Sequence, residues 1–147
     1  MKFLFYILPI VAGVAISIQS GINAQLRSAI QHPLLAAFIS FIVGTFALGI
    51  LLFFSKQSTP GMSVYAGIEW YKFIGGILGA FIVFVALTSV QEIGAANMFV
   101  LMVAGQLITA LLMDHFGVLG MRENPISVQK LLGILLVIAG AWLVNKK

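Results

Sequence analysis

Long uncharged stretches constrain this chain more than any other feature of its sequence. Phe3–Leu26, Leu34–Phe54 and Gly94–Met113 contain no charged residue, and Trp70–Val90 contains only Lys72. A helix needs roughly 20 apolar residues to cross the hydrocarbon core of a bilayer. Each stretch is therefore predicted to form a membrane-spanning helix, with the Lys72 ammonium close enough to the helix end to reach the headgroups.

The overall composition indicates the same class. Hydrophobic residues make up 61% of the 147 residues and charged residues only 8%, whereas a soluble domain carries about a quarter of its residues as charged side chains. The absence of cysteine excludes disulfides and thiolate metal sites. The net charge of +4 is spread along the chain, which favours contact with membrane lipid over nucleic acid, since nucleic-acid binding needs a clustered basic face.

A fifth predicted span has a shorter apolar core, which crosses the membrane only if the helix begins several residues before it. The apolar core Leu131–Val144 is too short to cross alone. Asn124 as an N-cap and Pro125 at the first helical position would extend it, provided that Lys130 points outward. His32 and Pro33 start the second helix in the same way. The sequence thus predicts an all-α integral membrane protein with a single transmembrane domain, 1–147, and five helices near 3–26, 33–54, 70–90, 94–114 and 125–144.

The placement of charged residues predicts the orientation of the chain in the membrane, but only by a small margin. The first run is longer than the apolar part of a cleaved signal peptide and lacks the usual cleavage site, so we expect it to be retained. One side of the membrane receives five cations and the other three: Lys2, Lys56, Lys72, Arg122 and Lys130 against Arg27, Lys146 and Lys147. The positive-inside rule places the N-terminus in the cytoplasm. The small excess leaves open a dual topology, in which copies insert both ways.

Small residues recur every four or seven positions along several predicted helices. Such rows let helix backbones approach closely, which replaces the hydrophobic drive that lipid removes. They serve packing within one subunit or contact with a second one, and the fourth or fifth helix is the favoured oligomer contact. The rows are Gly13, Ser17 and Gly21; Ala36, Ser40 and Gly44; Gly75 and Gly79; and Gly133 and Gly140.

Uncharged polar side chains inside the spans are the candidates for substrate binding, because each must find a partner away from water. Gln19 and Asn23 share a face of the first helix, and Gln106 lies near the middle of the fourth. Asn97 lies almost opposite Gln106 on that helix. We expect a cavity between Gln19 and Gln106. Hydrogen bonding that only ties helices together is the alternative for both residues.

Asp114 and His115 mark the end of the fourth span, as interfacial or gating residues. The negative end of a helix dipole disfavours a carboxylate there, which indicates a partner such as His115, Arg122 or Lys130. The alternative is an interfacial carboxylate in water.

Several kinds of chemistry have no residues to support them. No acid lies deep in a predicted span, so the usual carboxylate for proton or sodium coupling is missing. The sequence shows no metal-spaced histidine cluster, no nucleophile with a base and no glycine loop before a lysine. We therefore expect no cofactor, no metal and no enzymatic activity.

The sequence resembles the YdcZ family, a group of bacterial inner-membrane proteins in the drug/metabolite transporter superfamily, over almost its whole length. The most specific match is Gly105 and Gln106 followed by Asp114, His115, Phe116 and Gly117. Other matching positions are Gln19, Asn23 and Arg27, and Gly75, Gly76 and Gly79.

The resemblance implies half of a ten-helix inverted-repeat transporter architecture. A second copy, inserted antiparallel, or a paralogue would supply the other half. Related small multidrug exporters carry a coupling glutamate in the first helix. This chain lacks that glutamate, so proton–drug antiport does not carry over.

Two classes of function remain. The first is a dimeric carrier in the inner membrane that moves a small neutral or amphiphilic metabolite by alternating access, with a lipid flippase as a variant. The second is a scaffold or regulatory partner subunit that transports nothing. Tolerance of changes at Gln19 and Gln106, combined with loss of association in Gly79→Leu or Gly133→Leu, would favour the second class.

Overall fold

The computed structural model describes residues 3–56 and 58–146, and these residues form helices without a strand. The long helices are α1 (Leu4–Ile30) and α2 (Pro33–Phe54), then α4 (Ile74–Ile93), α5 (Ala95–Phe116) and α6 (Val128–Asn145). A short helix, α3 (Met62–Ala66), lies in the longest connection, and 3₁₀ turns cover Trp70–Phe73 and Val118–Gly120. Lys2 and Lys147, which enter the charge comparison, lie outside the described residues.

Four helices of the described chain are long and apolar enough to cross a membrane: Phe5–Ile30, Pro33–Phe54, Trp70–Ile93 and Ala95–Phe116. The apolar part of α6, Val128–Val144, is shorter. Most large apolar side chains on these helices are exposed, for example Phe46 at 70% and Leu136 at 73%. Such surfaces suit lipid and not water, which confirms the all-α membrane class. The ten-helix architecture stays a prediction.

The start of α2 follows the expected pattern. Pro33 occupies the first turn, and the Leu35 N–H donates to Nδ1 of His32 over 3.1 Å. His32 has an extended backbone, as an N-cap requires. The imidazole thus satisfies one of the free N–H groups at the helix start.

The predicted start of the last helix is wrong by three residues. Helix α6 begins at Val128, where the Ser127 hydroxyl accepts from the Lys130 N–H over 3.3 Å. The Asn124 N–H instead donates to the Asp114 carbonyl over 2.8 Å, so Asn124 belongs to the preceding loop. The Lys130 ammonium turns back to the carbonyls of Asn124 and Pro125, at 2.9 and 3.1 Å.

Two further boundaries differ from expectation. Helix α1 continues to Ile30 and closes with Gln31 in the left-handed region, its N–H donating to the Arg27 carbonyl over 2.7 Å. Helix α4 continues to Ile93, past the expected end near residue 90, so that Glu92 lies in its last turn. The tight turn that follows is at Gly94, whose φ of 80° suits glycine.

The chain divides into two compact units, residues 1–91 and 92–147. The first unit contains α1, α2 and nearly all of α4, with a small core of Ala36, Ala37 and Leu87 flanked by Leu26 and Val83. In the second unit α5 packs on α6, and Met98 and Ala141 are buried. Small residues at the α1–α2 contact let the two backbones lie close.

Candidate functional site

A buried polar contact joins α1 to α2 in the first unit. Asn23 is only 7% exposed, and its Oδ1 accepts a hydrogen bond from the Ser40 hydroxyl. Ser20, one turn earlier on α1, is also buried. Two helices in lipid gain on the order of 1 kcal/mol from such a bond. The contact fixes the rotation of α1 against α2 at the level of Ser40.

A cavity of about 190 Å³ lies next to this contact, with Ser40 among its lining residues. Gln19, Ser40 and Thr45 supply its polar groups, and Phe41, Leu48 and Val83 form its apolar walls. No lining residue is charged. The volume holds a few water-sized groups, so the cavity fits a small neutral solute or the polar end of an amphiphile.

Arg27 and Gln91 tie α1 to α4 near their ends. Arg27 Nη1 donates to the Leu87 carbonyl over 2.6 Å and to the Thr88 carbonyl over 3.4 Å. Gln91 Nε2 donates to the Ser28 hydroxyl over 2.9 Å and to the Ala24 carbonyl over 3.3 Å. The C-terminal turns of α4 carry a partial negative charge, which favours the guanidinium there.

Sequence reasoning missed both of these ties. It used Arg27 only in the charge comparison and in the family motif. The available signal was the spacing of four residues from Gln19 through Asn23 to Arg27, which places all three on one face of α1. Gln91 gave no such signal.

The polar residues of α5 lie in the second unit. Gln106 is exposed midway along the helix, and Asn97 is half-buried in the first turn. The structure brings Gln19 to a cavity with Ser40 and Thr45, whereas Gln106 and Asn97 belong to the unit formed by α5 and α6. The roles of Gln106 and Asn97 in substrate binding stay predictions.

Asp114 and His115 organise the loop that follows α5. The Asp114 carbonyl accepts from the Asn124 N–H, and His115 Nδ1 accepts from the Ile126 N–H over 3.3 Å. Among residues 3–56 and 58–146, no ion pair joins the Asp114 carboxylate to His115, Arg122 or Lys130. The carboxylate instead lines a polar cavity of about 630 Å³ together with Met121, Arg122, Glu123 and Asn124.

The small-residue rows fall into two groups. Ala36 lies in the core of the first unit and Ser40 binds Asn23. Gly44 lines the cavity but is exposed, and a Cβ there would meet nothing within 4 Å in the described part of the chain. A Cβ on Gly79 would touch the Phe41 ring at 3.6 Å. Gly140 lines an apolar groove with Phe99, Val100 and Val103.

Elsewhere the small residues face open space. Ser17 donates to the Gly13 carbonyl of its own helix over 3.1 Å. Added Cβ atoms at four other positions would meet nothing within 4 Å in the described part of the chain: Gly13, Gly21, Gly75 and Gly133. Their role in helix packing therefore stays a prediction that a second subunit would have to satisfy.

These features define a multi-pass α-helical membrane protein with uncharged polar groups between its helices. A family model described as "Putative inner membrane exporter, YdcZ" matches residues 4–143, and the chain belongs to this family. It is 30% identical over 143 residues to "Inner membrane protein YdcZ" of Escherichia coli (strain K12), covering 94% of this chain and 92% of that protein. No solved structure matches the chain. The resemblance is thereby confirmed, and the chain is a multi-pass inner-membrane protein of a family described as exporters.

Proposed function

We propose that the chain transports a small neutral or amphiphilic metabolite across the inner membrane, acting as a dimer by alternating access. The family description supports an exporter. One observation carries the finer proposal: the cavity lined by Gln19, Ser40 and Thr45 has polar groups, apolar walls and no charge. Amides and hydroxyls at such a site suit a polar but uncharged group, because the cavity offers no charge to pair with an ionic substrate.

The dimer rests on glycine faces that the chain leaves open. Five helices supply half of an inverted repeat, and alternating access commonly needs both halves. Gly13, Gly21, Gly75 and Gly133 present backbone to open space, as close helix contact with another subunit requires. A second copy of this chain in the opposite orientation is the partner that we propose.

Transport can be measured with the full chain reconstituted in liposomes. The probes are isotope-labelled neutral amides and polyols, and neutral single-chain amphiphiles. We expect at least one probe to cross about 5-fold faster than in empty vesicles, and Gln19→Leu to remove most of that excess because it takes away an amide at the cavity. The matched control is Gln129→Leu, an exposed glutamine at the start of α6. Equal rates in vesicles with and without the protein, or full transport by Gln19→Leu, would refute a carrier.

Association is tested separately. Gly133→Leu places its side chain in open space and spares the single subunit, so loss of the dimer in light scattering would locate the contact on α6. Gly79→Leu is the comparison, because it strikes Phe41 inside the first unit and should lower stability instead. A dimer that survives leucine at all four open glycines would contradict the proposed interface.

A further inference from the structure

The cavity beyond α5 differs from the first-unit cavity in its charge. Asp114, Glu123 and Arg122 all line its volume of about 630 Å³. In residues 3–56 and 58–146 no ion pair within 4 Å joins Arg122 to either carboxylate. Because the positive and negative groups line one cavity and form no ion pair with each other, both are available to a ligand that carries both signs. We call the carboxylates and the guanidinium the two poles of the cavity.

Hydrogen bonds to backbone carbonyls shape the loop that carries these charges. The Asn124 N–H binds the Asp114 carbonyl, and the Lys130 ammonium binds the carbonyls of Asn124 and Pro125. Gly117 has a φ of 58°, and a Cβ there would lie only 2.6 Å from Glu123 Cγ, so the chain passes Glu123 at close range. These contacts restrict the loop backbone, which lowers the entropy that the backbone loses when a ligand binds.

The two poles have different sources. Asp114 lies in the last turns of α5, where the helix dipole adds negative potential to that of the two carboxylates. This end of the cavity favours an ammonium group. The Arg122 guanidinium offers donors in a planar fork that matches a phosphate.

The cavity lies where the apolar span ends. Helix α5 is 22 residues long and stops at Phe116, so the following loop starts at the depth of the headgroups. Phe116 and Leu119 are exposed beside it, at 66% and 75%, as side chains in contact with acyl chains would be. A ligand bound here therefore has headgroups on one side and hydrocarbon on the other.

We propose that this cavity binds a zwitterionic headgroup with a primary ammonium and a phosphate, carried by a phospholipid. The ammonium lies between Asp114 and Glu123, and the phosphate accepts hydrogen bonds from Arg122. A trimethylated ammonium fits less well because it has no N–H to donate to the carboxylates. A headgroup without the cation leaves both carboxylates unpaired.

The test measures lipid retention by native mass spectrometry on the full chain in micelles. Equal amounts of phosphatidylethanolamine, phosphatidylcholine and phosphatidylglycerol compete for the protein. We expect phosphatidylethanolamine to be retained about 5-fold over each of the others, a difference of about 1 kcal/mol. Asp114→Asn should abolish that preference, whereas Arg122→Gln should lower the retention of all three lipids, because each of them carries a phosphate. Glu69→Gln and Lys56→Gln remove charges at exposed sites of the first unit and should leave both the preference and the retention intact.

Four outcomes would overturn the proposal. The first is equal retention of the three lipids, and the second is undiminished retention of all three lipids in Arg122→Gln, whose side chain is exposed. The third is preferred retention of phosphatidylglycerol, which would indicate an anion site. Soluble phosphoethanolamine separates the two sources of the headgroup. The fourth outcome is complete displacement of the lipid by this solute below about 1 mM, because it would show that the acyl chains add nothing to the affinity and that a free solute binds as well.

Discussion

The two units of the chain use polar groups in different places. In residues 1–91, side chains of α1 bind side chains or carbonyls of α2 and α4, as Asn23 does with Ser40 and Arg27 with Leu87. In residues 92–147, polar contacts concentrate in the segment 114–130, beyond the end of α5. Between α5 and α6 runs an apolar groove lined by valines and Gly140.

The difference shows where each unit can bind a ligand. Polar bonds between helices create fixed polar positions inside hydrocarbon, and the uncharged cavity with Gln19 lies beside them. The charged loop after α5 follows an apolar span, and charges cost less to desolvate near the membrane surface than within the hydrocarbon. The transport that we propose would therefore use the first unit, and the headgroup site that we propose would use the second.

Leu87→Ala is expected to give the largest loss of stability. Leu87 is 1% exposed in the core of the first unit. Lipid is as apolar as leucine, so the truncation loses packing contacts but no free energy of transfer from water. We expect a loss of about 2 kcal/mol, the low end for such truncations. Leu136→Ala, on an exposed face of α6, should change little. Free energies of unfolding in mixed micelles measure both, and equal losses would show that the first unit has no distinct core.

Gly117→Ala tests the loop of the second unit. The left-handed backbone costs alanine about 1 kcal/mol, and the new Cβ would strike Glu123 at 2.6 Å. Gly120→Ala shares the positive φ but meets nothing within 4 Å, so it isolates the backbone cost. We expect Gly117→Ala to lower the free energy of unfolding further than Gly120→Ala, by a few tenths of a kcal/mol, and Glu123→Ala to remove the excess. Equal costs without rescue would mean that Glu123 is loosely held.

The Asn23–Ser40 bond tests the polar contact inside the first unit. A double-mutant cycle with Asn23→Ala and Ser40→Ala should give a coupling of about 1 kcal/mol. Ser17→Ala is the matched control, since Ser17 only bonds back to the Gly13 carbonyl and should lose a few tenths at most. A coupling near zero would remove the distinction between the two units.

Local signals in the sequence predicted much of the fold. The uncharged run and His32 with Pro33 placed α2 at 33–54, because span length and capping are both set within the segment itself. The start of α6 was wrong because Asn124 and Ser127 are both good caps. The Asn124 N–H binds the carbonyl of Asp114, fourteen residues before the start of α6 at Val128, and a signal local to the helix does not show that contact.

The candidate site was less predictable. The sequence identified Gln19 and Asn23 as polar groups in hydrocarbon, but it paired Gln19 with Gln106 and did not connect Asn23 to Ser40. Partners on another helix depend on how each helix is rotated. A helix that is apolar on all sides carries almost no record of that rotation. On α1 the four-residue spacing from Gln19 to Arg27 marks a polar face, but it does not show which helix that face contacts.

The smallest expected effect belongs to Glu69, an exposed group at the membrane edge of the first unit. The Lys72 ammonium 3.0 Å away, and next the Tyr71 side chain, hold the pKa of Glu69 below its ordinary value of 4.5. A lowered pKa stabilises the folded chain above that ordinary value, and the contribution is lost as the pH falls through the folded-state pKa. Stability of the chain and of Glu69→Gln should therefore differ slightly near pH 7 and converge in acid. Salt should shrink the difference. A loss near pH 7 as large as that of Ser40→Ala would show that exposed polar pairs matter as much as buried ones, which contradicts the contrast between contacts inside and outside the membrane.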